Sequence, residues 1–389
     1  MSDALMTPGF GLLPHELNFD EFVSICADPT GGVATPHASE LVNGIPVYDG
    51  DYLRAARTSN DEEAVKEELA TVFGSGAGVI AIRNAWNDRP TVDAMTDVLL
   101  AIVDRERAGK ADSFDHFAAS GANSRAWDTL AKAAKLDPAT YVAYYANPIL
   151  TMVSESWLGP AFQLTAQVNI VHPSGAAQSP HRDYHLGFLS NDEAARYPAH
   201  VHRLSQALTL QGAVAHSAMP VEAGPTMLLP GSQRFLAGYL AWRDERFKEH
   251  FAAHQVQLEL EPGDAVFFNP GLHHAAGENR STNIDRIGNL LQVSSAFGIP
   301  MEAVDWAGIA TATYPVLQGL ARYHQLTNDH MAVCAAGYAW PSNLDTDPST
   351  AGLAPPSMQA ILRQALADGV TVDEFTVAMQ ALATRRKPY

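Results

Sequence analysis

An α+β chain, with a closed β core of the sandwich or jelly-roll type between helical ends, is predicted from three observations. Short β-rich runs cluster at 162–171, 206–215, 225–229, 256–260, 264–268 and 286–296. Turn residues punctuate them, as Pro-Ser-Gly, Pro-Gly-Ser, Pro-Gly-Asp and Asn-Pro-Gly. Helical patterns lie on both sides. Many short strands separated by such turns are the pattern of a sandwich or barrel.

Taken in order, the first 75 residues read as an irregular opening followed by a helix over 51–73, with Leu53, Ala56, Leu69 and Val72 on its apolar face and Gly74-Ser75-Gly76 as its stop. Residues 78–83 are β-branched and short, hence a strand. Residues 91–109 form an amphipathic helix through Met95, Val98, Leu99, Ile102 and Val103. Helices are expected over 125–135 and 138–158, the second entered through Asp137-Pro138. After residue 300 helix returns at 303–325 and 356–384, around a Pro/Ser/Asp/Gly-rich stretch at 341–356. The expected organisation is an N-terminal segment 1–75, a central unit 76–300 and a helical extension 301–389.

Composition narrows the function. The chain has 389 residues, 47% apolar, which is ample for a core and excludes a disordered or disulfide-stapled class. Its net charge of −18 repels phosphate backbones and anionic lipid heads, so neither nucleic acid nor a membrane surface is an expected partner. Two distant cysteines, Cys26 and Cys334, exclude a cysteine-rich zinc site and suit a reducing cytoplasm. Residues 1–6 lack the basic start and apolar run of a secretion signal, and no apolar stretch approaches a bilayer span. The expectation is a cytoplasmic protein acting on a small molecule.

Of fifteen histidines, one alone fits His-x-Asp/Glu: His181-Arg182-Asp183. In an extended chain, residues i and i+2 project from one face, so an imidazole and a carboxylate can reach the same cation. A further histidine would complete a facial triad with open positions opposite, the arrangement of non-haem Fe(II) oxygenases. One such match arises by chance in a chain this rich in histidine, and the surrounding blocks decide its meaning.

Those blocks are Pro180-His181-Arg182-Asp183-Tyr184-His185, Gly224-Pro225 through Pro230-Gly231-Ser232-Gln233-Arg234, and Gly263-Asp264 through Phe268, then His273-His274-Ala275-Ala276-Gly277-Glu278-Asn279-Arg280-Ser281, followed by Arg286. In this order they resemble the phytanoyl-CoA dioxygenase-like Fe(II)/2-oxoglutarate oxygenases. The stretch from Asp137-Pro138 to Leu158-Gly159-Pro160 is similar to the helix before that family's barrel, and the likeness runs over roughly 137–297. The tail after 300 has no counterpart.

The resemblance implies a double-stranded β-helix (jelly-roll, cupin-like) core, Fe(II), 2-oxoglutarate as cosubstrate and O2. It implies His181, Asp183 and His274 as iron ligands, with His273 as the competing candidate for the last. Arg286 is implied as the partner of the distal 2-oxoglutarate carboxylate, which a guanidinium grips through two parallel hydrogen bonds. The gap from His274 to Arg286 is one residue longer than usual, so Arg280 stands as an alternative. Asn169 and Gln167, on the strand before His181, are candidate cosubstrate contacts; a structural strand Asn is the other reading of Asn169. His185 would line the substrate side if the chain stays extended after Asp183. Gln233 stands where the family often has His. Related halogenases have Gly or Ala at the Asp183 position, so a carboxylate here favours oxygen chemistry. The activity implied is hydroxylation of a C–H bond with release of succinate and CO2; desaturation, cyclisation and rearrangement share the same centre.

Two rival classes exist. A zinc hydrolase could use His181 and His185 as a helical pair, although Pro180 and Gly187 oppose a helix there. A jelly-roll binding protein with a non-catalytic metal is the other. The aromatics of 303–340 (Trp306, Tyr314, Tyr323, Tyr338, Trp340) either cover the pocket mouth or form the core of a helical extension. Substrate identity and oligomeric state are not legible.

Overall fold

The computed structural model describes residues 11–12, 15, 17–109, 123–349 and 352–387. Residues 1–10, on which the absence of a secretion signal was read, lie outside them. The strands are β1 Glu40–Val42, β2 Ile45–Asp49, β3 Val79–Arg83, β4 Asn123–Ala126, β5 Gln163–Val171, β6 Thr209–Ala215, β7 Met227–Leu228, β8 Ala265–Phe268, β9 His274–Ala275 and β10 Arg286–Ser294. The helices are α1 Phe19–Ala27, α2 Gly50–Ala56, α3 Glu62–Gly74, α4 Arg89–Gly109, α5 Thr129–Leu136, α6 Pro138–Tyr145, α7 Pro148–Leu158, α8 Asn191–Ala194, α9 Ala199–Ala207, α10 Gly238–Ala241, α11 Glu245–His254, α12 Trp306–Arg322, α13 Asn328–Cys334, α14 Met358–Asp368 and α15 Val372–Arg385.

An eight-stranded sheet runs β1-β2-β3-β8-β6-β10-β5-β4, antiparallel except for the β2–β3 pair. Facing it is a narrow second layer. β7 pairs with β9, His181 bridges to His274 on one side, and Val256 bridges to Leu228 on the other. Two facing layers of this kind make a jelly roll, as the sequence predicts.

The large sheet has two different faces. Leu164, Ala166, Val168 and Ile170 of β5, with Leu291 and Val293 of β10, are buried and apolar, and helices α4 to α7 pack on that side. The alternate residues Gln163, Thr165, Gln167 and Asn169 of β5 face inward, in register with Ser294, Gln292, Leu290 and Gly288 of β10. A polar face turned into a closed core needs ligands or partners for its groups. That face positions the site.

Several expected elements divide or change type. The helix expected over 51–73 is two, α2 and α3, and α2 starts where the Asp49 carboxylate accepts the Asp51 and Tyr52 N–H groups. The helix over 138–158 is also two, because Asn147 caps α7 and Pro148 begins it. Residues 125–126, expected to open a helix, belong to edge strand β4, which pairs with β5. The opening read as irregular contains the β1–β2 hairpin, turned by Asn43 and Gly44, both at positive φ. Residues 206–207 end α9 instead of opening a strand, and 256–260 forms bridges instead of a continuous strand.

The C-terminal helices pack on the body, α12 against α5, α6 and α15. Tyr314 is fully buried, stacked on Phe375 with centroids 4.0 Å apart, while Tyr323 is 76% exposed. The Phe375→Ala substitution is therefore expected to cost about 3–5 kcal/mol of stability, read as a lower urea midpoint. An unchanged midpoint would show that this stack contributes nothing.

Candidate metal centre

His181 and His274 exchange both backbone hydrogen bonds, His181 N–H to His274 O at 2.9 Å and the reverse at 3.1 Å. Directly opposed residues of such a pair point to the same face. The two imidazoles accordingly lie with centroids 4.5 Å apart. The Asp183 N–H continues the ladder to Pro270 O, which keeps the chain extended and brings Asp183 to the face of His181. Alternation sends the intervening Arg182 the other way. It is fully buried there, and its Nη2 donates to the carbonyls of Ser232 and Phe235. The same alternation turns His273 away from His274, its ring against Phe22 at 5.2 Å.

One ligand atom from each of His181, Asp183 and His274 lies within 4.8 Å of the others. His181 Nε2 is 3.6 Å from Asp183 Oδ1, and His274 Nε2 is 3.4 Å from Oδ2. Each imidazole has a backbone carbonyl 2.9 Å from Nδ1, Ser179 O for His181 and Leu272 O for His274. Those bonds place the proton on Nδ1 and leave Nε2 with a lone pair aimed at the cluster. Burial would push the Asp183 carboxyl up, but the two imidazoles and the Gln211 amide, which donates to Oδ2 at 2.6 Å, hold it well below the usual carboxylate range. Burial likewise lowers the His181 pKa against the pull of Asp183. Two imidazoles and one ionised carboxylate suit a divalent first-row metal with open positions, as in non-haem Fe(II) sites.

A small pocket between the sheets is lined by Asn169, Gly288, Leu290, Leu228, Val266 and Arg286. It adjoins the cluster, since Leu228 pairs with His274. Arg286 is 7% exposed, and its Nη1 has no partner. Burial, with Arg125 nearby, brings its pKa down to about 10, so it stays charged at neutral pH. Asn169 Oδ1 is also buried and unpartnered in the same pocket. An orphaned buried cation facing a cavity fits the carboxylate of a small dicarboxylic acid. Arg280 is exposed. Gln167 donates to Gln292 Oε1 at 3.3 Å.

The structure does not bring His185 to the cluster. Tyr184 and His185 both have positive φ, so the chain turns instead of staying extended, and His185 Nδ1 lies 3.4 Å from Ser205 Oγ. The helical pair that a zinc hydrolase needs is therefore lacking. Gln233 is buried beneath Gly78 and donates to Gly76 O. Sequence reasoning missed Gln211. Gln211 had a readable signal as the polar residue in the run Thr209-Leu210-Gln211-Gly212-Ala213-Val214.

The sequence pattern of the family described as phytanoyl-CoA dioxygenase (PhyH) matches residues 75–288, more than half of the chain. The chain belongs to the phytanoyl-CoA dioxygenase family. It is an oxygenase that depends on iron and 2-oxoglutarate, and the His181–Asp183–His274 cluster is its candidate iron centre. No curated protein matches the chain. Solved structures similar to this family member include the 2-oxoglutarate-dependent epimerase SnoN from nogalamycin biosynthesis, at 21% identity and a TM-score of 0.40, with 60% of this chain and 84% of that one covered. EctD from S. alaskensis with bound Fe has 16% identity and a TM-score of 0.45, with coverage of 69% and 84%. HygX from Streptomyces hygroscopicus with nickel and 2-oxoglutarate bound has 14% and 0.41, with coverage of 61% and 90%. At these scores the family assignment rests on the sequence pattern alone.

Proposed function

We propose that this oxygenase hydroxylates, or otherwise oxidises, a C–H bond of a small molecule with release of succinate and CO2. In this reading His181, Asp183 and His274 hold Fe(II), and Arg286 with Asn169 receives the distal carboxylate of 2-oxoglutarate. The observation that carries it is the convergence of those three ligand atoms beside a pocket that contains an unpartnered, buried arginine. Bound iron supplies the dioxygen activation that protein side chains cannot.

The chain's own residues provide geometry. The paired backbone of His181 and His274 fixes both imidazoles before any ligand arrives, which lowers the ordering cost of binding. The Ser179 and Leu272 carbonyls hold each ring's tautomer, and Gln211 holds the Asp183 carboxylate in one orientation. Arg286 fixes the far end of the cosubstrate. The apolar lining from Leu228, Val266 and Leu290 keeps water from the reacting end.

The same reading assigns catalysis to residues 76–300 and flanking roles to 1–75 and 301–389. The acidic net charge supports a small-molecule substrate over nucleic acid or a membrane surface. No described helix is long and apolar enough to cross a membrane. Both cysteines are free, which supports a cytoplasmic location. Anaerobic addition of Fe(II) and 2-oxoglutarate is expected to give a weak visible charge-transfer band. No band at saturating concentrations of both would favour a binding protein with a non-catalytic metal.

A further inference from the structure

Beyond the iron and cosubstrate groups, the buried Glu302 Oε2, Tyr184 hydroxyl and Gln211 Oε1 have no hydrogen-bond partner among the described residues. They come from distant parts of the chain. Glu302 follows β10 at the start of the C-terminal helices, and its Oε1 accepts the Asp128 N–H at 2.7 Å, which fixes the side chain. Burial raises the Glu302 pKa, while the Asp128 N–H and the Gln167 amide beside its carboxylate pull it down, and the Tyr184 hydroxyl lies in the field of both Asp183 and Glu302. Gln211 spends its N–H on Asp183 and so leaves its carbonyl oxygen open beside that ligand.

Tyr184 is held there against its backbone preference. Its φ of 65 and ψ of 147 are a combination that residues with side chains rarely adopt, and His185 follows at φ 42. Such conformations persist where the surroundings over-determine them, and they gather at ligand sites. The strain buries a tyrosine hydroxyl directly after the metal ligand Asp183, with no hydrogen-bond partner among the described residues.

The chemistry of these atoms is one-sided. Glu302 Oε2 and Gln211 Oε1 only accept hydrogen bonds, and Tyr184 can do either. The charge is one-sided too. The nearby Lys132 donates to Glu106 and to the Trp127 carbonyl, so it is engaged elsewhere. Positive charge gathers at the other end of the inner face, where Arg125 stands opposite Asn169 and beside Arg286. That end suits the cosubstrate's carboxylate; the Glu302 end suits the opposite charge.

We propose that Glu302, Tyr184 and Gln211 form the substrate-recognition subsite, and that it takes a hydrogen-bond-donating cationic group, an ammonium on a polar, hydroxyl-bearing molecule. This rests on the oxygenase reading of the neighbouring iron centre. An unadorned acyl chain would leave both acceptors and the carboxylate charge unmatched. Glu302 and Tyr184 are specificity residues here, and Gln211 serves both metal ligand and substrate.

The preference is read by anaerobic calorimetric titration with glucosamine, glucose and glucuronate, sugars of one skeleton that carry a cation, no charge and an anion. The full chain is titrated both metal-free and loaded with Fe(II) and 2-oxoglutarate. Glucosamine is expected to bind at least tenfold tighter than glucose, and glucuronate more weakly than either. Glu302→Gln keeps the acceptor for Asp128 N–H and is expected to remove the glucosamine advantage. Tyr184→Phe is expected to weaken glucosamine and glucose alike. An equal or reversed order, no binding of any of the three, or an undiminished advantage in Glu302→Gln would overturn the proposal. The Fe(II)/2-oxoglutarate band recorded on the same samples separates the two readings: its absence contradicts the oxygenase assignment, while the metal-free titrations still decide the charge preference.

Discussion

Asp183→Ala is expected to abolish succinate formation from 2-oxoglutarate while leaving the protein folded. Asp183 is the anionic member of the candidate cluster, and loss of groups that merely support metal ligands already costs about 10–100-fold in metal affinity or activity. Removal of the ligand itself should exceed that, so turnover is expected to fall by more than about 100-fold, with bound iron lost in parallel. The metal-free protein should still fold. The variant loses the Gln211 hydrogen bond and the attraction of the two imidazoles for the carboxylate, while the backbone bonds between His181 and His274 remain. The melting temperature without metal is therefore expected to stay at or slightly below that of wild type. Gln211→Leu, which removes only the donor to Oδ2, should fall between the variant and wild type. Full turnover in Asp183→Ala would show that another group holds the iron.

Arg286→Ala is expected to act on a different quantity. The guanidinium is buried and charged, with Nη1 unmatched until an anion arrives. Truncation of one member of a buried charge pair costs about 2–5 kcal/mol, which is roughly a 30-fold to several-thousand-fold rise in the 2-oxoglutarate concentration for half-maximal rate. Arg286→Lys should recover part of this, because lysine restores the charge without the two-pronged geometry. Arg280, exposed in the turn between β9 and β10, is the control: Arg280→Ala should leave the 2-oxoglutarate dependence unchanged. The opposite pattern would transfer the role to Arg280. Both variants are read by steady-state kinetics in 2-oxoglutarate, with iron saturating.

How much of this was legible in the chain differs by the range of the interaction. The central strands carry their own signal in period-two burial and turn residues, and β5, β8 and β10 lie within a residue or two of expectation. The turn Asn43-Gly44 between Val42 and Ile45 also carried a hairpin signal, which the surrounding Gly and Pro obscured. β4 had no such signal. Asn123-Ser124-Arg125-Ala126 is a strand because β5 offers it an open edge, a tertiary fact. The short strands of the second layer, two residues each, are set by their partners across the barrel and not by propensity.

The site divides in the same way. His181 and Asp183 share a face because two residues of extended chain put them there, which spacing predicts. The relation of His274 to both depends on a single antiparallel bridge between segments far apart in sequence. The family resemblance supplied that pairing, and local pattern could not. His185 illustrates the limit. Its spacing from Asp183 suggests a shared face, but two consecutive residues at positive φ redirect the chain, and nothing in Asp183-Tyr184-His185 announces that turn. Glu302 is invisible for another reason: it stands beyond the resembling stretch, and its side chain is fixed by the Asp128 N–H, far away in sequence.

An anaerobic crystal structure with Fe(II) and 2-oxoglutarate bound examines the central claim most directly. One ion bonded to His181 Nε2, an Asp183 oxygen and His274 Nε2, with the cosubstrate's far carboxylate on Arg286, is the predicted result. An ion held without either imidazole, or a cosubstrate whose far carboxylate lies away from Arg286, would contradict the account.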